Sequence, residues 1–296
     1  MNIAYQKITE QIIKALEEGT VPWQKGWLTN PAVSHNDGRV YSFLNQILLR
    51  GNGGEWLTFN QVTANGGKVK KGEHGSIVLF FNFKEEEIKD DNGNVIIEAG
   101  EPLKRKIPMP RYYYVFEVGQ CEGIERKYPP KLKIHDSVAE AEQVIQNYLA
   151  ANPDLRVDER IGNRAYYSLT EDRVILPERG QFTDINEFYS TAFHEMVHST
   201  MTKERCDRSK ERFGENVAFG SCNYSKEELV AEIGAVFLCE YVGIKGVFDN
   251  SASYIKGWLK VLKNDSTFIV SAASKAEKAV QYILGEALAN AQNEAA

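Results

Sequence analysis

The sequence predicts an α+β protein of two domains, and three observations carry this prediction. The chain has 296 residues, of which 43% are apolar, enough for more than one core. The formal charge is +2 over residues 1–135 and −8 over the remainder, which suggests two units with different partners. Paired prolines among charged residues, "RKYPPKLKIHD" at 126–136, mark a linker. We therefore expect one domain over residues 1–128 and another over 135–296.

The first half of the chain mixes helical and extended patterns. Ile8, Ile12 and Leu16 recur at helical spacing, and Gly19 ends this first helix. A helix-like segment, a glycine turn and an apolar strand follow in "EWLTFNQVTANGGKVKKGEHGSIVLFFNF" at 55–83. The charged stretch after it contains an Asn-Gly turn, which indicates a solvated hairpin or flexible loop, and "RYYYVFEV" predicts another strand.

The second half combines helices with one hairpin. "SVAEAEQVIQNYLAANP" predicts a helix after the linker, and "NRAYYSLTEDRVILPE" predicts a hairpin that turns near Glu171 and Asp172. Its strand "RVILP" is a candidate edge strand to which an extended peptide adds. Asp184 opens a helix over about 185–200, and "SKEELVAEIGAVFLCEYVG" predicts another after a long loop.

The motif "HEMVH" in the helix at 185–200 carries the chemistry. His194 and His198 are four residues apart and therefore share one helical face, where two imidazoles bind one Zn²⁺. Glu195 lies beside such an ion and is the candidate catalytic base for an activated water. Both histidines point away from the centre of the helix's apolar stripe, so we expect them to face solvent or a cleft.

A third protein ligand is expected from "EELVAEIGAVFL", where Glu228 and Glu232 share a helical face. We favour Glu228 as the ligand, with Glu232 orienting a histidine. The alternative is that Ser225 and Glu228 form a capping box, which would make Glu232 the ligand. Three side chains are candidates to donate a hydrogen bond to an oxyanion: Tyr166, Tyr167 and Arg208.

An ordered set of motifs resembles the ArdC-type antirestriction proteins of conjugative plasmids. It comprises "YQKITEQIIKALEEGTVPWQKGW", "YSFLNQILL", "WLTFNQVTANGGKVKKGEHG", "YYYVFEVGQCEGI", "VILPERGQF", "FYSTAFHEMVHST" and "YSKEELVAEIGAVFLC". The resemblance covers nearly the whole chain. It implies an N-terminal domain that binds single-stranded DNA, a C-terminal gluzincin-like metallopeptidase domain, and protection of incoming plasmid DNA from host restriction.

Single-stranded DNA binding requires basic groups beside aromatic faces on which bases stack. Composition alone favours an aromatic-rich core with a solvated lysine turn, and only the resemblance favours DNA binding. The candidate DNA-binding residues are Trp23, Lys25, Trp27, Lys68, Lys70, Lys71, Phe81, Arg111 and Tyr112. Phe83 and Tyr114 lie in the same aromatic segments.

The expected cofactor is Zn²⁺, or another divalent metal such as Mn²⁺, and the expected partners are single-stranded DNA and an unknown protein or peptide substrate. Two alternatives are a DNA-binding shield with a vestigial or structural metal site, and a proteolytic regulator independent of DNA. No apolar run approaches the roughly 18 residues of a membrane span, and the N-terminus lacks a signal-peptide pattern. We therefore expect a cytoplasmic protein with no membrane partner.

Overall fold

A computed structural model describes residues 2–23, 31–49, 52–90, 93–98, 100–128, 137–208, 222–244 and 252–285. The helices in these ranges are α1 Ile3–Glu17, α2 Phe43–Leu48, α3 Phe59–Ala64, α4 Ser137–Ala151, α5 Ile185–Ser199, α6 Cys222–Tyr241, α7 Ala252–Asn264 and α8 Phe268–Leu284. The strands are β1 Ala32–Ser34, β2 Gly54–Thr58, β3 Lys68–Val69, β4 Ser76–Glu87, β5 Ile97–Glu98, β6 Glu101–Pro102, β7 Lys104–Glu117, β8 Cys121–Glu122, β9 Arg156–Arg160, β10 Tyr166–Ser168 and β11 Arg173–Pro177. This mixture of helices and sheets confirms the predicted α+β class.

The first helix forms where the apolar spacing predicts it. The Asn2 side chain caps its start by accepting a hydrogen bond from the backbone N–H of Ala4, at 2.8 Å. Ile8, Ile12 and Leu16 are buried along one face. Chain reversal follows at Gly19, whose φ of +76° lies in the left-handed region that favours glycine.

The main sheet of the first half has the strand order β1-β2-β7-β4. β4 and β7 form a long antiparallel ladder, in which Leu79 lies opposite Tyr112 and Phe81 opposite Pro110. From the pair Phe81–Pro110 onwards, residues 81–87 and 104–110 form a two-stranded arm. Most of its side chains are exposed on both faces. The prediction of a solvated hairpin in this charged stretch is therefore confirmed.

The smaller sheet of the second half has the order β10-β11-β9. β10 and β11 form the predicted hairpin, which turns at Asp172 with a φ of +43°. β11 also pairs in parallel with β9, so it is the central strand and its residues 174–176 are buried. The prediction of "RVILP" as an edge strand is wrong, because hydrogen bonds from two neighbours already occupy both of its edges.

One apolar core contains residues from both halves of the chain. The ring of Trp23 meets that of Trp258 in α7 edge to face, with centroids 5.2 Å apart. Phe43 at the start of α2 stacks on Phe237 in α6 at a centroid distance of 3.3 Å. The predicted domain boundaries stay a prediction, since residues 129–136 lie outside the described ranges. Among the described helices, none combines the length and apolar character needed to cross a membrane.

Replacing Trp23 by alanine should destabilise the whole protein. The side chain is 0% exposed and fills a space between the two halves, so its loss leaves a cavity. We expect the free energy of unfolding to fall by about 3–5 kcal/mol, as measured by chemical denaturation. Phe83→Ala is the control, because Phe83 is 62% exposed. A Trp23→Ala protein as stable as that control would contradict the shared core.

Candidate metal centre and nucleic-acid surface

Helix α5 presents the histidine pair. The Asp184 side chain caps the helix by accepting a hydrogen bond from the N–H of Asn186 at 2.9 Å. The apolar face then packs inward, and His194 and His198 lie one turn apart, with His194 half-buried and His198 buried. Their Nε2 atoms are 3.1 Å from each other. The predicted helix and the predicted common face of the two histidines are both present.

Helix α6 crosses α5 closely because it carries a glycine at the contact. A Cβ at Gly234 would lie 2.8 Å from Cγ2 of Val197, a distance that no ordinary side-chain contact allows. This approach brings the two oxygens of Glu228 to 3.5 Å from His194 Nε2 and 3.4 Å from His198 Nε2. Since α6 begins at Cys222, Glu228 lies inside the helix, and the capping-box alternative with Ser225 is wrong.

His194, His198 and Glu228 bring potential ligand atoms together. The two Nε2 atoms are 3.1 Å apart, and each lies within 3.5 Å of one of the two Glu228 oxygens. One ligand atom from each residue lies within 4.8 Å of the others, close enough for the three side chains to hold one metal ion. Two imidazoles and one carboxylate suit Zn²⁺, and they also accept Mn²⁺.

A second layer of carboxylates supports the histidines. Glu227 Oε1 lies 3.5 Å from Nδ1 of His198, and Glu232 Oε2 lies 3.9 Å from Nδ1 of His194. At 3.9 Å Glu232 is beyond hydrogen-bond distance of His194, so its orienting role stays a prediction. Glu227 was not among the predicted site residues. Its place directly before Glu228 was a signal, because adjacent helical residues point about 100° apart and can contact two edges of one ring.

Arg208 is buried next to Glu227. It is 3% exposed and donates to Glu227 Oε1 at 2.9 Å and to the backbone oxygen of Val197 at 3.0 Å. A guanidinium with these buried partners does not face the open side of the metal ligands. The prediction of Arg208 as an oxyanion donor is therefore wrong. Tyr167 donates to Asp172 at 2.6 Å, and Tyr166 is 48% exposed on the edge strand β10.

The acidic surroundings control protonation of the histidines. Burial alone would lower the pKa of His198, but Glu228 and Glu227 outweigh burial and raise that pKa to about 10. The pKa of His194 is also raised. Burial and the neighbouring His198 would lower it, but the hydrogen bond that Glu228 accepts and the negative charges of Glu195 and Glu228 together outweigh them. Glu195 is 7% exposed, and its negative charge contributes to the raised pKa of both histidines. A metal ion would take the place of these protons.

Trp23 is not available to DNA. Its ring is fully buried against Trp258, so the prediction that it stacks on bases is wrong. The motif "PWQKGW" does not reveal whether Trp23 is buried. The residue that buries it, Trp258, is far away in the sequence, in α7. Lys25 and Trp27, predicted as its neighbours on the DNA, lie outside the described residues.

Phe81 and Tyr112 do lie on one face of the main sheet. Directly paired residues of an antiparallel ladder share a face, as do residues two apart along a strand. Four side chains therefore form a line that we call the aromatic row: Phe83, Phe81, Tyr112 and Tyr114. Lys7 Nζ lies over the Tyr112 ring at 4.9 Å from its centroid. Arg111 pairs with Phe80 and so points to the opposite face, away from the row.

The three lysines of the glycine-rich turn are exposed, but two have partners within the protein. Lys68 forms an ion pair with Glu122 at 2.9 Å, and Lys70 Nζ donates to the backbone oxygen of Gly119 at 2.7 Å. Lys71 is exposed. Exposed ion pairs are weak, so these contacts do not prevent the lysines from binding phosphates. Their role in DNA binding stays a prediction.

Two family models match successive parts of the chain. Residues 2–116 match the N-terminal domain of anti-restriction factor ArdC, and residues 140–275 match a zincin-like metallopeptidase. The first match contains the aromatic row, and the second contains the histidine pair and Glu228.

Curated relatives include two DNA primases TraC of Escherichia coli. They are 33% and 32% identical to this chain over 95% of it, which corresponds to 20% and 27% of their own length. The chain thus spans about a fifth to a quarter of these primases. An uncharacterized protein of Sinorhizobium fredii, y4eC, is 28% identical and is covered over 91% of its length.

Solved structures of the antirestriction protein ArdC from the R388 plasmid also match. The metal-free form has a TM-score of 0.70 and 31% identity, with 97% of this chain and 98% of that chain covered. The Mn(II)-bound form has a TM-score of 0.73 and 30% identity, with 99% of each chain covered. With this identity over almost the full length of both proteins, the chain belongs to the ArdC family of antirestriction proteins.

Proposed function

We propose that the chain binds single-stranded DNA on the aromatic row, holds a divalent metal in a peptidase-type centre, and protects incoming plasmid DNA from restriction. The observation that carries this proposal is the convergence of His194, His198 and Glu228 at metal-ligand spacing in a chain that also presents the row. Membership of the ArdC family supports the antirestriction role.

The residues of the metal centre have distinct tasks in this proposal. His194, His198 and Glu228 hold the ion, while Glu227 and Glu232 orient the two imidazoles. When bound there, Zn²⁺ or Mn²⁺ supplies Lewis acidity, which lowers the pKa of a water molecule and polarises a carbonyl. Glu195 takes the proton from that water and delivers it to the leaving amine of a peptide.

The spacing of the aromatic row favours single strands. Successive members are two residues apart along the ladder, which corresponds to about 7 Å, whereas stacked nucleotides of a duplex strand rise about 3.4 Å. A base on each ring therefore requires an extended, unstacked strand. Lys7 beside Tyr112 supplies a cation for the backbone. Phosphates should avoid the second half, because its net charge is −8.

Coating of the incoming strand is the more direct route to protection, since transferred DNA enters as a single strand in the setting that the family implies. Cleavage of a host protein is the other route. The two differ in whether they require Glu195.

Purified protein should contain about one divalent ion per chain, by the ligand count. The double variant His194→Ala/His198→Ala should lose it, because two of three protein ligands disappear. Elemental analysis by mass spectrometry measures the content. His74→Ala is the control, since His74 is exposed and outside the cluster. Full metal content in the double variant would refute the site.

Glu195→Gln should keep the metal and the fold, because in this proposal Glu195 moves a proton and does not hold the ion. Any peptidase activity should fall by about 10²–10⁴-fold. Glu204→Gln, at an exposed position after the same helix, is the control. Protection is then measured by transfer of DNA into a restricting recipient. If the variant binds DNA and metal but fails to protect, proteolysis and not coating is the working function.

Phe83→Ala should weaken binding of a dT oligonucleotide by about 1–3 kcal/mol, the stacking energy of one base. Fluorescence anisotropy with the full-length protein measures this affinity at low and high salt. Phe59→Ala is a matched control, because Phe59 is 58% exposed against 62% for Phe83 but lies in α3. Equal affinities of the two variants, or a preference for duplex DNA, would contradict the assignment of the row.

A further inference from the structure

We propose that a pocket at the Tyr114 end of the aromatic row binds one nucleotide of the single strand, an inference that rests on the proposed function. The pocket has a volume of about 540 Å³ and lies between α1, the end of α2 and the first residues of β4. This volume is within the roughly 300–1,000 Å³ of small-molecule sites, so one nucleotide fits. We call it the α1 pocket.

The α1 pocket continues the aromatic row. Tyr114 is 49% exposed and lines the pocket, while its ring centroid is 6.0 Å from that of Tyr112, the next member of the row. Lys7 also belongs to both, since it lines the pocket and lies over Tyr112. A strand that follows the row past Tyr112 therefore arrives at the pocket.

The walls of the pocket suit a base. Leu48, Leu49 and Ile77 form an apolar floor, and the Tyr114 ring supplies a stacking face. Gln11 lies along one wall, where its amide nitrogen donates to the backbone oxygen of Leu48 at 3.1 Å. An apolar floor with a few polar groups at the side is the usual composition of a site for a heteroaromatic ligand.

Glycine keeps this stacking face accessible. A Cβ at Gly75 would lie 3.0 Å from Cβ of Tyr114 and 3.1 Å from the ring of Phe116. A larger residue there would press on the tyrosine and reduce the space in front of it. Gly75, which has no side chain, leaves the pocket open at this point.

The charges at the rim suit a phosphate. Lys7 and Lys14 are seven residues apart in α1 and so lie on the same side of the helix, two turns from each other. Within the described ranges, Lys14 makes a long, exposed contact with Glu18, at 3.9 Å, which is too weak to compete strongly with a phosphate. Glu10 also lines the pocket and opposes an anion, so the net charge of these three side chains is +1.

The first experiment uses end-specific abasic oligonucleotides. Because the pocket lies at one end of the row, a terminal nucleotide of the shortest dT oligonucleotide with full affinity should occupy it. An abasic residue at that end should weaken binding to the full-length protein by about 5–150-fold, the equivalent of one stacked base. Gln11→Trp, which places a large side chain in the pocket from α1, should remove this loss at one end, and Phe83→Ala should remove the loss at the other. Identical abasic profiles for Gln11→Trp and the parent would overturn the proposal.

A second variant tests the rim of the pocket without filling its interior. Lys14→Ala should weaken binding several-fold and reduce the dependence of affinity on salt by about one phosphate contact. Lys203→Ala is the matched control, since it removes one exposed lysine from the second half. Equal salt slopes for the two variants would overturn the pocket while leaving the row intact. A parent protein that binds no single strand at all would instead refute the proposed function.

Discussion

The contact between Val197 and Gly234 determines the geometry of the metal centre. Helices usually pack with axes 8–10 Å apart, and only small residues at the crossing allow the nearer end of that range. Here the missing Cβ lets α6 deliver Glu228 to both imidazoles of α5. The short side chain of a carboxylate could not span a wider gap, so the proposed ligand set depends on this one packing contact.

Close packing of α5 and α6 also brings several negative charges together in the protein interior. The buried Arg208 compensates part of this charge. Glu227, Glu228 and Glu232 are each less than 10% exposed, and a buried carboxylate without a partner would be costly. Arg208 neutralises Glu227, while a metal ion would neutralise the carboxylate that faces it. The electrostatics of the centre are thus balanced from two sides, by a fixed cation within the protein and by an exchangeable one.

The sequence predicts local features of this protein well and distant contacts poorly. Helical spacing was sufficient to place both histidines on one face and to offer Glu228 and Glu232 as candidate ligands, but it could not decide between these two glutamates. Apolar and aromatic runs placed Phe81 and Tyr112 in strands. The role of Trp23 depended on Trp258, and the central position of β11 depended on parallel pairing with β9. Neither partner can be identified from periodicity, because periodicity reports only which side of an element is apolar.

The meeting of Trp23 with Trp258 has a consequence for synthesis of the chain. α1 packs against α7 as well as against β4 and β7, so its apolar side is fully covered only after the ribosome has produced α7. Until then part of this apolar side stays exposed, and such surfaces attract chaperones or other nascent chains. Contacts between sequence-distant segments also form slowly, since a long loop must close first. Completion of the core should therefore come late in folding.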